Sequence, residues 1–380
     1  MIYKEYGNTG HKVSAVGFGG MRFDLSIGQE KNADIIQYAY DNGINFLDTA
    51  PGYCEDQSED IFGIFVDRNK SKREDFYVCT KCMPFRAPTK QEAIEAVEKS
   101  LRRLKTDYID FFYTWCIRKR GHYEEAIVDG GFYEGLLECK ERGMIKHLTI
   151  SSHLQGNELK GILDEGRFEG VLLGVNVLNF PFRWQAVQSA YDSGYGVVAM
   201  NPLAGGAIPQ NEVNLGFLTE KEETPTEAAL RFCVSCPQIT VTLNGFTTTD
   251  HIDTACKAAD NASPFTAQEI DRIKNSVSQN MDSLCTGCGY CLKECPKHIP
   301  IARYLQMYNE KLFENKDEEA MLKAMEHHYN WGILVDRHAD AKDCIKCHRC
   351  EDACTQHLNI MERLDEIAEL QKKWEAEKEK

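Results

Sequence analysis

Short blocks of near-continuous Val, Ile, Leu and Phe recur at 13–19, 44–48, 76–80, 108–114, 146–151, 171–177, 197–201 and 240–245. Apolar residues at successive positions mark strands covered on both faces, as in a parallel sheet. Between these blocks the apolar spacing changes to 3- and 4-residue steps. Ala93, Ile94, Val97, Leu101 and Leu104 fall on one helical face, and Thr89 with Glu92 forms the capping pattern that opens such a helix. Pro225, flanked by Thr224 and Thr226, fits the first turn of another. Residues 2–13 read as a β-hairpin turning at Asn8-Thr9-Gly10. Eight strand–helix units over roughly 245 residues predict an α/β fold, a (β/α)8 TIM barrel. A doubly wound sheet would open its first helix with G-x-G-x-x-G. Gly17-Phe18-Gly19-Gly20 is only a tight turn.

A polar stretch at 260–280 ends this pattern. Beyond it, 299–314 and 318–331 read as helices. Ile360, Leu364, Ile367, Leu370 and Trp374 form an apolar stripe on a last, charged helix. The expected division is a barrel over 1–265 and a second, α-helical domain over 266–380.

The 380 residues are 42% hydrophobic, enough for a large core. The net charge of −15 argues against a nucleic-acid binder. No apolar run reaches membrane-helix length. The first residues, Met1-Ile2-Tyr3-Lys4-Glu5-Tyr6, show neither a signal-peptide apolar region nor a twin-Arg signal. A cytoplasmic location is expected, so the sixteen Cys are not read as a disulfide scaffold.

Eight of those Cys fall in two runs of one spacing, C-x2-C-x2-C-x3-C. The first is Cys285, Cys288, Cys291 and Cys295, closed by Pro296. The second is Cys344, Cys347, Cys350 and Cys354, with Thr355 after it. Zinc sites pair C-x2-C elements to reach four tetrahedral ligands, and a third Cys after two residues with a fourth after three more is more than such an element uses. The spacing is that of bacterial ferredoxins, where the fourth Cys of each run ligates the other cluster. Cys285, Cys288, Cys291 and Cys354 are therefore assigned to one [4Fe–4S] cluster, and Cys344, Cys347, Cys350 and Cys295 to a second. The long helical segment between the runs favours an α-helical ferredoxin-like module.

In a TIM barrel, chemistry gathers where strands end. The second strand ends in Asp48 and is followed by Tyr53; the third ends in Thr80-Lys81. A buried Lys beside a Tyr is expected to lower the phenol pKa, with Asp48 keeping the ammonium charged. Such a trio equips Tyr53 to protonate a developing alkoxide.

These residues resemble those of the aldo-keto reductases. The match includes Gly17-Phe18-Gly19, Asp48-Thr49-Ala50, Tyr53, Lys81, Tyr108-Ile109-Asp110, Ser151-Ser152-His153, Pro202-Leu203-Ala204-Gly205-Gly206 and Ala228-Ala229-Leu230-Arg231-Phe232. With the Cys runs, the whole chain resembles the branch carrying a C-terminal 4Fe-4S ferredoxin-type domain, described as NAD(P)-linked oxidoreductases. The resemblance implies a catalytic role for Asp48, Tyr53 and Lys81. It places Trp115 where the family has a carbonyl-orienting His, which removes a donor and adds a stacking face. It implies nicotinamide contacts from Ser151, Ser152, His153 and Asn176. After the eighth strand, 247–255 has neither the family's basic residue for a 2′-phosphate nor its Glu-Asn pair. NADP is therefore disfavoured relative to NAD. The expected function is reduction of a small carbonyl or conjugated substrate. Tyr53 would be the proton donor, the clusters would pass electrons, and a ferredoxin-like protein is a candidate electron donor. An electron-transfer protein whose barrel has lost nicotinamide-dependent catalysis is the alternative.

Overall fold

The computed structural model describes every residue except 119, 155, 220–222, 281–284, 286–288, 314–315, 331–333, 335–336 and 379–380. Strands β1 (Tyr3–Glu5) and β2 (Lys12–Ser14) form the antiparallel hairpin. Strands β3 (Val16–Gly19), β4 (Phe46–Asp48), β5 (Tyr77–Cys82), β6 (Ile109–Ile117), β7 (Ile145–Ser152), β8 (Gly170–Gly174), β9 (Gly196–Met200) and β10 (Val241–Gly245) close into one barrel. All the barrel pairings are parallel, and β10 hydrogen-bonds to both β9 and β3. The barrel expected from the eight apolar blocks is present.

Strand ends depart from the apolar blocks for local reasons. The first block breaks at Ala15, because Lys12–Ser14 pairs with the hairpin while Val16–Gly19 enters the barrel. The block at 171–177 stops being strand at Gly174. There the Asn176 side chain accepts from the backbone N–H groups of Leu178 and Asn179 at 3.0 and 3.2 Å, turning the chain. Strand β6 runs past 114 to Ile117, with a shift of register against β7 between Thr114 and Ile117. Such a bulge turns side chains to new directions beside a site. The helix Lys90–Leu104 starts as the capping pattern requires, with Thr89 and Glu92 bonded reciprocally.

The barrel interior is filled by Phe46, Cys79, Phe111, Tyr113, Leu172, Val198 and Val241, together with Tyr6 from the hairpin. Tyr6 lies against Phe111 with ring centroids 4.1 Å apart. A Cβ on Gly170 would meet the Tyr6 hydroxyl at 2.3 Å, and one on Gly196 the Tyr6 ring at 2.3 Å. Bare backbone on two adjacent strands is thus what lets the ring in.

The backbone divides into two compact units, residues 1–202 with 227–274, and residues 203–226 with 275–380. The second unit carries the expected helices, observed at Ile301–Phe313, Glu318–Asn330 and Ile360–Lys378. Ile360, Leu364 and Ile367 are buried in its core, and Leu370 and Trp374 pack against it. Trp374 stacks on Tyr329 at 5.0 Å. Among the described residues no helix is long and apolar enough to cross a membrane.

Gly196→Ala should lower stability by about 1–3 kcal/mol through overpacking against Tyr6. Chemical denaturation would register this as a reduced midpoint. Made together with Tyr6→Leu, the same substitution should cost measurably less.

Candidate active site and cysteine ligand sites

Asp48 is the last residue of β4, and Lys81 lies in β5 beside it; both are 1% exposed. Lys81 Nζ donates to Asp48 Oδ1 at 2.5 Å. Asp48 Oδ2 is buried without a hydrogen-bond partner among the described residues. Burial pushes the Asp48 carboxyl above its ordinary value, against the pull of the Lys81 charge and hydrogen bond. Three aromatic rings surround the ammonium, with centroids at 5.1 Å for Tyr53, 5.6 Å for Tyr113 and 6.0 Å for Trp115. Trp115 meets Tyr53 edge to face at 5.7 Å. The four residues singled out at the barrel rim, Asp48, Tyr53, Lys81 and Trp115, therefore come together around one buried ion pair.

The expected lowering of the Tyr53 pKa is overturned. Burial pushes the phenol well above its ordinary value, and Asp48, Cys116 and Cys54 add to the rise. The Lys81 charge is taken up by Asp48, so the Tyr53 phenol meets a carboxylate and a low-dielectric surround rather than an unshared cation. The side chain as a whole is only half-buried, like that of Trp115, so the rings have an open edge. Cys116 follows Trp115 in the bulge with φ 66°, a left-handed value inside a strand. Neither it nor Tyr113 stood out in the sequence as part of this site.

The residues implied for a nicotinamide lie at the ends of β7 and β8, and all are buried. They differ in what they can still offer. Ser151 Oγ is buried with no hydrogen-bond partner among the described residues. Ser152 Oγ donates to Ile117 O at 3.3 Å and accepts from Leu154 N at 3.1 Å. Asn176 spends its oxygen on the turn above and its amide on Asn201 O at 3.1 Å. The His153 carbonyl accepts from Arg183 Nη1 at 2.9 Å.

In the second unit, Cys295, Cys344, Cys347 and Cys350 line one small cavity with Ile299, Ile301 and Leu364. This is the thiol set expected for the second cluster, with its fourth member drawn from the first run. For the other set, Cys285, Cys291 and Cys354 border the same hydrophobic core. Cys288 lies outside the described residues. Asn309, buried on Ile301–Phe313, fixes Cys285 by two bonds, accepting from its N–H at 3.0 Å and donating to its carbonyl at 2.6 Å. Among the described residues no three Cys, His, Asp or Glu side chains are placed to hold a single metal ion. Thiolates around one zinc would converge at bonds of about 2.3 Å, a closer gathering than a four-iron cube asks of its corners.

The two runs repeat in three dimensions as well as in spacing. Gly289 and His348 are both left-handed and open the short helices Tyr290–Glu294 and Arg349–Asp352. His298 N donates to Cys295 O at 3.1 Å and His357 N to Cys354 O at 3.2 Å. Both of those histidines have φ 54°. The turn after the fourth Cys is therefore the same with Thr355 as with Pro296.

Removing Lys81 alone should leave a buried carboxylate unpaired. Lys81→Met is expected to cost about 3–5 kcal/mol where Asp48 stays ionised. Asp48 then holds its proton more tightly folded than unfolded, so that stability is retained at low pH and lost as pH rises. Denaturation of the variant should show a larger deficit at about pH 8 than at about pH 5, and Lys81→Met with Asp48→Asn should recover much of it.

The aldo/keto reductase family model matches residues 15–278. A 4Fe-4S dicluster domain model matches residues 284–361. The chain is similar to an uncharacterized oxidoreductase, YqkF, of Bacillus subtilis (strain 168), at 26% identity over 317 residues, 74% of this chain and 98% of that one. Its fold is similar to that of the holo form of aldo-keto reductase AKR11C1 from Bacillus halodurans, with TM-score 0.61 and 26% identity over 73% of this chain and 96% of that one. An aldo-keto reductase from Klebsiella pneumoniae in complex with NADPH shares the fold at TM-score 0.60 and 18% identity, over 72% of this chain and 95% of that one. The chain belongs to the aldo/keto reductase family, as an oxidoreductase whose barrel is followed by a 4Fe-4S dicluster domain.

Proposed function

We propose that the barrel reduces a small carbonyl or conjugated substrate, with Tyr53 donating the proton. The observation that carries this is the Tyr53 phenol beside the buried Asp48–Lys81 pair, held in its protonated form by burial. Reduction of a C=O or conjugated C=C bond takes up two electrons and two protons. The phenol gives one proton to the substrate oxygen and is restored by solvent at the half-open ring edge; solvent supplies the second proton to carbon, and the two electrons come from the reduced donor. The Lys81 ammonium, shared with Asp48, offsets part of the charge on the phenolate left behind. Trp115 offers an indole face to a planar substrate.

We assign Cys285, Cys288, Cys291 and Cys354 to one [4Fe–4S] cluster, and Cys295, Cys344, Cys347 and Cys350 to another. Bound there, the clusters supply one-electron transfer. A ferredoxin-like protein is the electron donor in this reading. NAD(P)H is the weaker source. Of the residues suited to a nicotinamide amide, Ser151 offers a buried hydroxyl with no other bond among the described residues, while Ser152 and Asn176 are committed to backbone. The segment 247–255 contains no Lys or Arg for a 2′-phosphate.

Protein purified anaerobically should carry about eight irons and eight sulfides per chain. About four irons would reject the two-cluster assignment, and zinc without sulfide would reject clusters altogether.

The enzymatic reading is tested by assaying conjugated carbonyls with a reduced ferredoxin, and separately with NADH or NADPH. Tyr53→Phe should lower turnover by about 10²–10⁴-fold, to a small residual rate, and leave cluster spectra unchanged. Because the phenol pKa lies above its ordinary value, near 10, the wild-type rate should not fall between about pH 7 and pH 9 through loss of this proton. Full NAD(P)H-driven turnover by folded, cluster-deficient Cys347→Ser would overturn the electron route through the cysteine domain.

A further inference from the structure

The chain leaves Tyr53 through an uncommon backbone. Cys54, Glu55 and Asp56 are all left-handed, with φ of 50°, 55° and 63°. An L side chain in this region crowds its own carbonyl, and such residues normally occur singly. Strain of this kind persists only where surrounding structure over-determines it, and it gathers at functional sites. Cys54 Sγ reaches Gly20 O at 3.4 Å, and a charged side chain holds the turn by several further bonds.

That side chain is Arg103, near the end of the helix Lys90–Leu104. Its Nη1 donates to Asp56 Oδ1 at 2.7 Å, and Nη2 donates to the Asp56 main-chain carbonyl. Nε and Nη2 reach Asp60 at 3.2 and 2.9 Å. Nη1 also lies 3.3 Å from Glu59 Oε2, and Glu59 Oε1 accepts from Thr80, the neighbour of Lys81, at 2.8 Å. Asp56 Oδ1 further accepts from Gly52 N at 2.7 Å, on the other side of Tyr53. The Arg103 side chain is 13% exposed and Glu59 is buried, while the Asp56 and Asp60 carboxylates keep an outer face in solvent. Inside the turn, Gln57 N and Ser58 N both donate to Tyr53 O, at 3.1 and 3.2 Å. One guanidinium thus grips the strained loop after Tyr53, the start of the helix Ser58–Arg68, and a carboxylate bonded beside Lys81.

We infer that Arg103 is a positioning residue for Tyr53, acting by holding the left-handed turn Cys54–Asp56. The inference rests on the reading of Tyr53 as proton donor. Arg103 touches neither substrate nor the ion pair. Its fork satisfies a main-chain carbonyl and carboxylates at once, which an ammonium cannot reproduce.

The test uses the full cluster-loaded chain and two readouts. The first is hydrogen exchange at the Gln57 and Ser58 amides. Arg103→Gln should speed it about tenfold or more, with Arg103→Lys intermediate. Adding Glu55→Gly should restore protection, because glycine holds the left-handed conformation without a clamp. The second readout is kcat on a conjugated carbonyl in a double-mutant cycle with Tyr53→Phe. Arg103→Gln should cost about 10–100-fold in the wild type, with KM little changed, and nothing further in the Tyr53→Phe background. Unchanged exchange overturns the inference. Equal losses in both backgrounds overturn it too, because Arg103 would then act elsewhere. Wild-type turnover by Tyr53→Phe alone defeats the reading of Tyr53, and the positioning role with it, whatever the exchange shows. If Arg103→Gln does not fold, Arg103→Lys decides by the same criteria.

Discussion

The buried ion pair of Asp48 and Lys81 is the constraint around which the barrel mouth is arranged. Two charges withdrawn from water are costly, and they persist only with close mutual contact and further favourable neighbours. Parallel pairing of β4 and β5 supplies the contact. The faces of Tyr53, Tyr113 and Trp115 supply the neighbours, since aromatic faces attract a cation without carrying a charge of their own. The surrounding structure follows from this. The rings must lie over the ammonium, so β6 must extend far enough to present Trp115. The chain after Asp48 must double back to bring Tyr53 over the pair. A phenol so placed, beside a carboxylate and largely shielded from water, keeps its proton.

The barrel was legible in the sequence because strands covered on both faces leave uninterrupted apolar runs, and eight of them spaced by helical stretches admit few folds. The trio of Asp48, Tyr53 and Lys81 was legible from its placement at strand ends. The electrostatic consequence was not. Adjacency of Tyr53 and Lys81 suggests a lowered phenol pKa, but the sign depends on where Asp48 stands and how much water reaches the ring. The bulge at Trp115 and Cys116 is a relation between β6 and β7, and no local pattern announces it. Arg103 sits in a charged helix ending and reads there as one more solvated cation. Only the backbone of residues 54–56 reveals what it grips.

The second unit shows the opposite balance. Its helical surroundings gave few cues beyond apolar stripes, whereas the cysteine spacing alone suggested which thiols belong together, and Cys295, Cys344, Cys347 and Cys350 do line one cavity. The change from Pro296 to Thr355 looks like a departure in one dimension. In three dimensions the two turns carry the same hydrogen bond and the same left-handed histidine. Proline presets that turn but is not required for it, because the donor comes from the third residue after the cysteine.

The cavity shared by Cys295 with Cys344, Cys347 and Cys350 has a consequence for how the protein is made. Its thiols come from positions nearly fifty residues apart, so a ribosome that has released the first cysteine run has completed neither of the proposed thiol sets. On the proposed assignment, residues 285–295 emerge as four thiols, three for one site and one for the other. They stay reduced and open to loss by oxidation until the helix Arg349–Asp352 has been synthesised and folded back. On the same assignment, a chain truncated before residue 344 would have no complete place to hold either cluster.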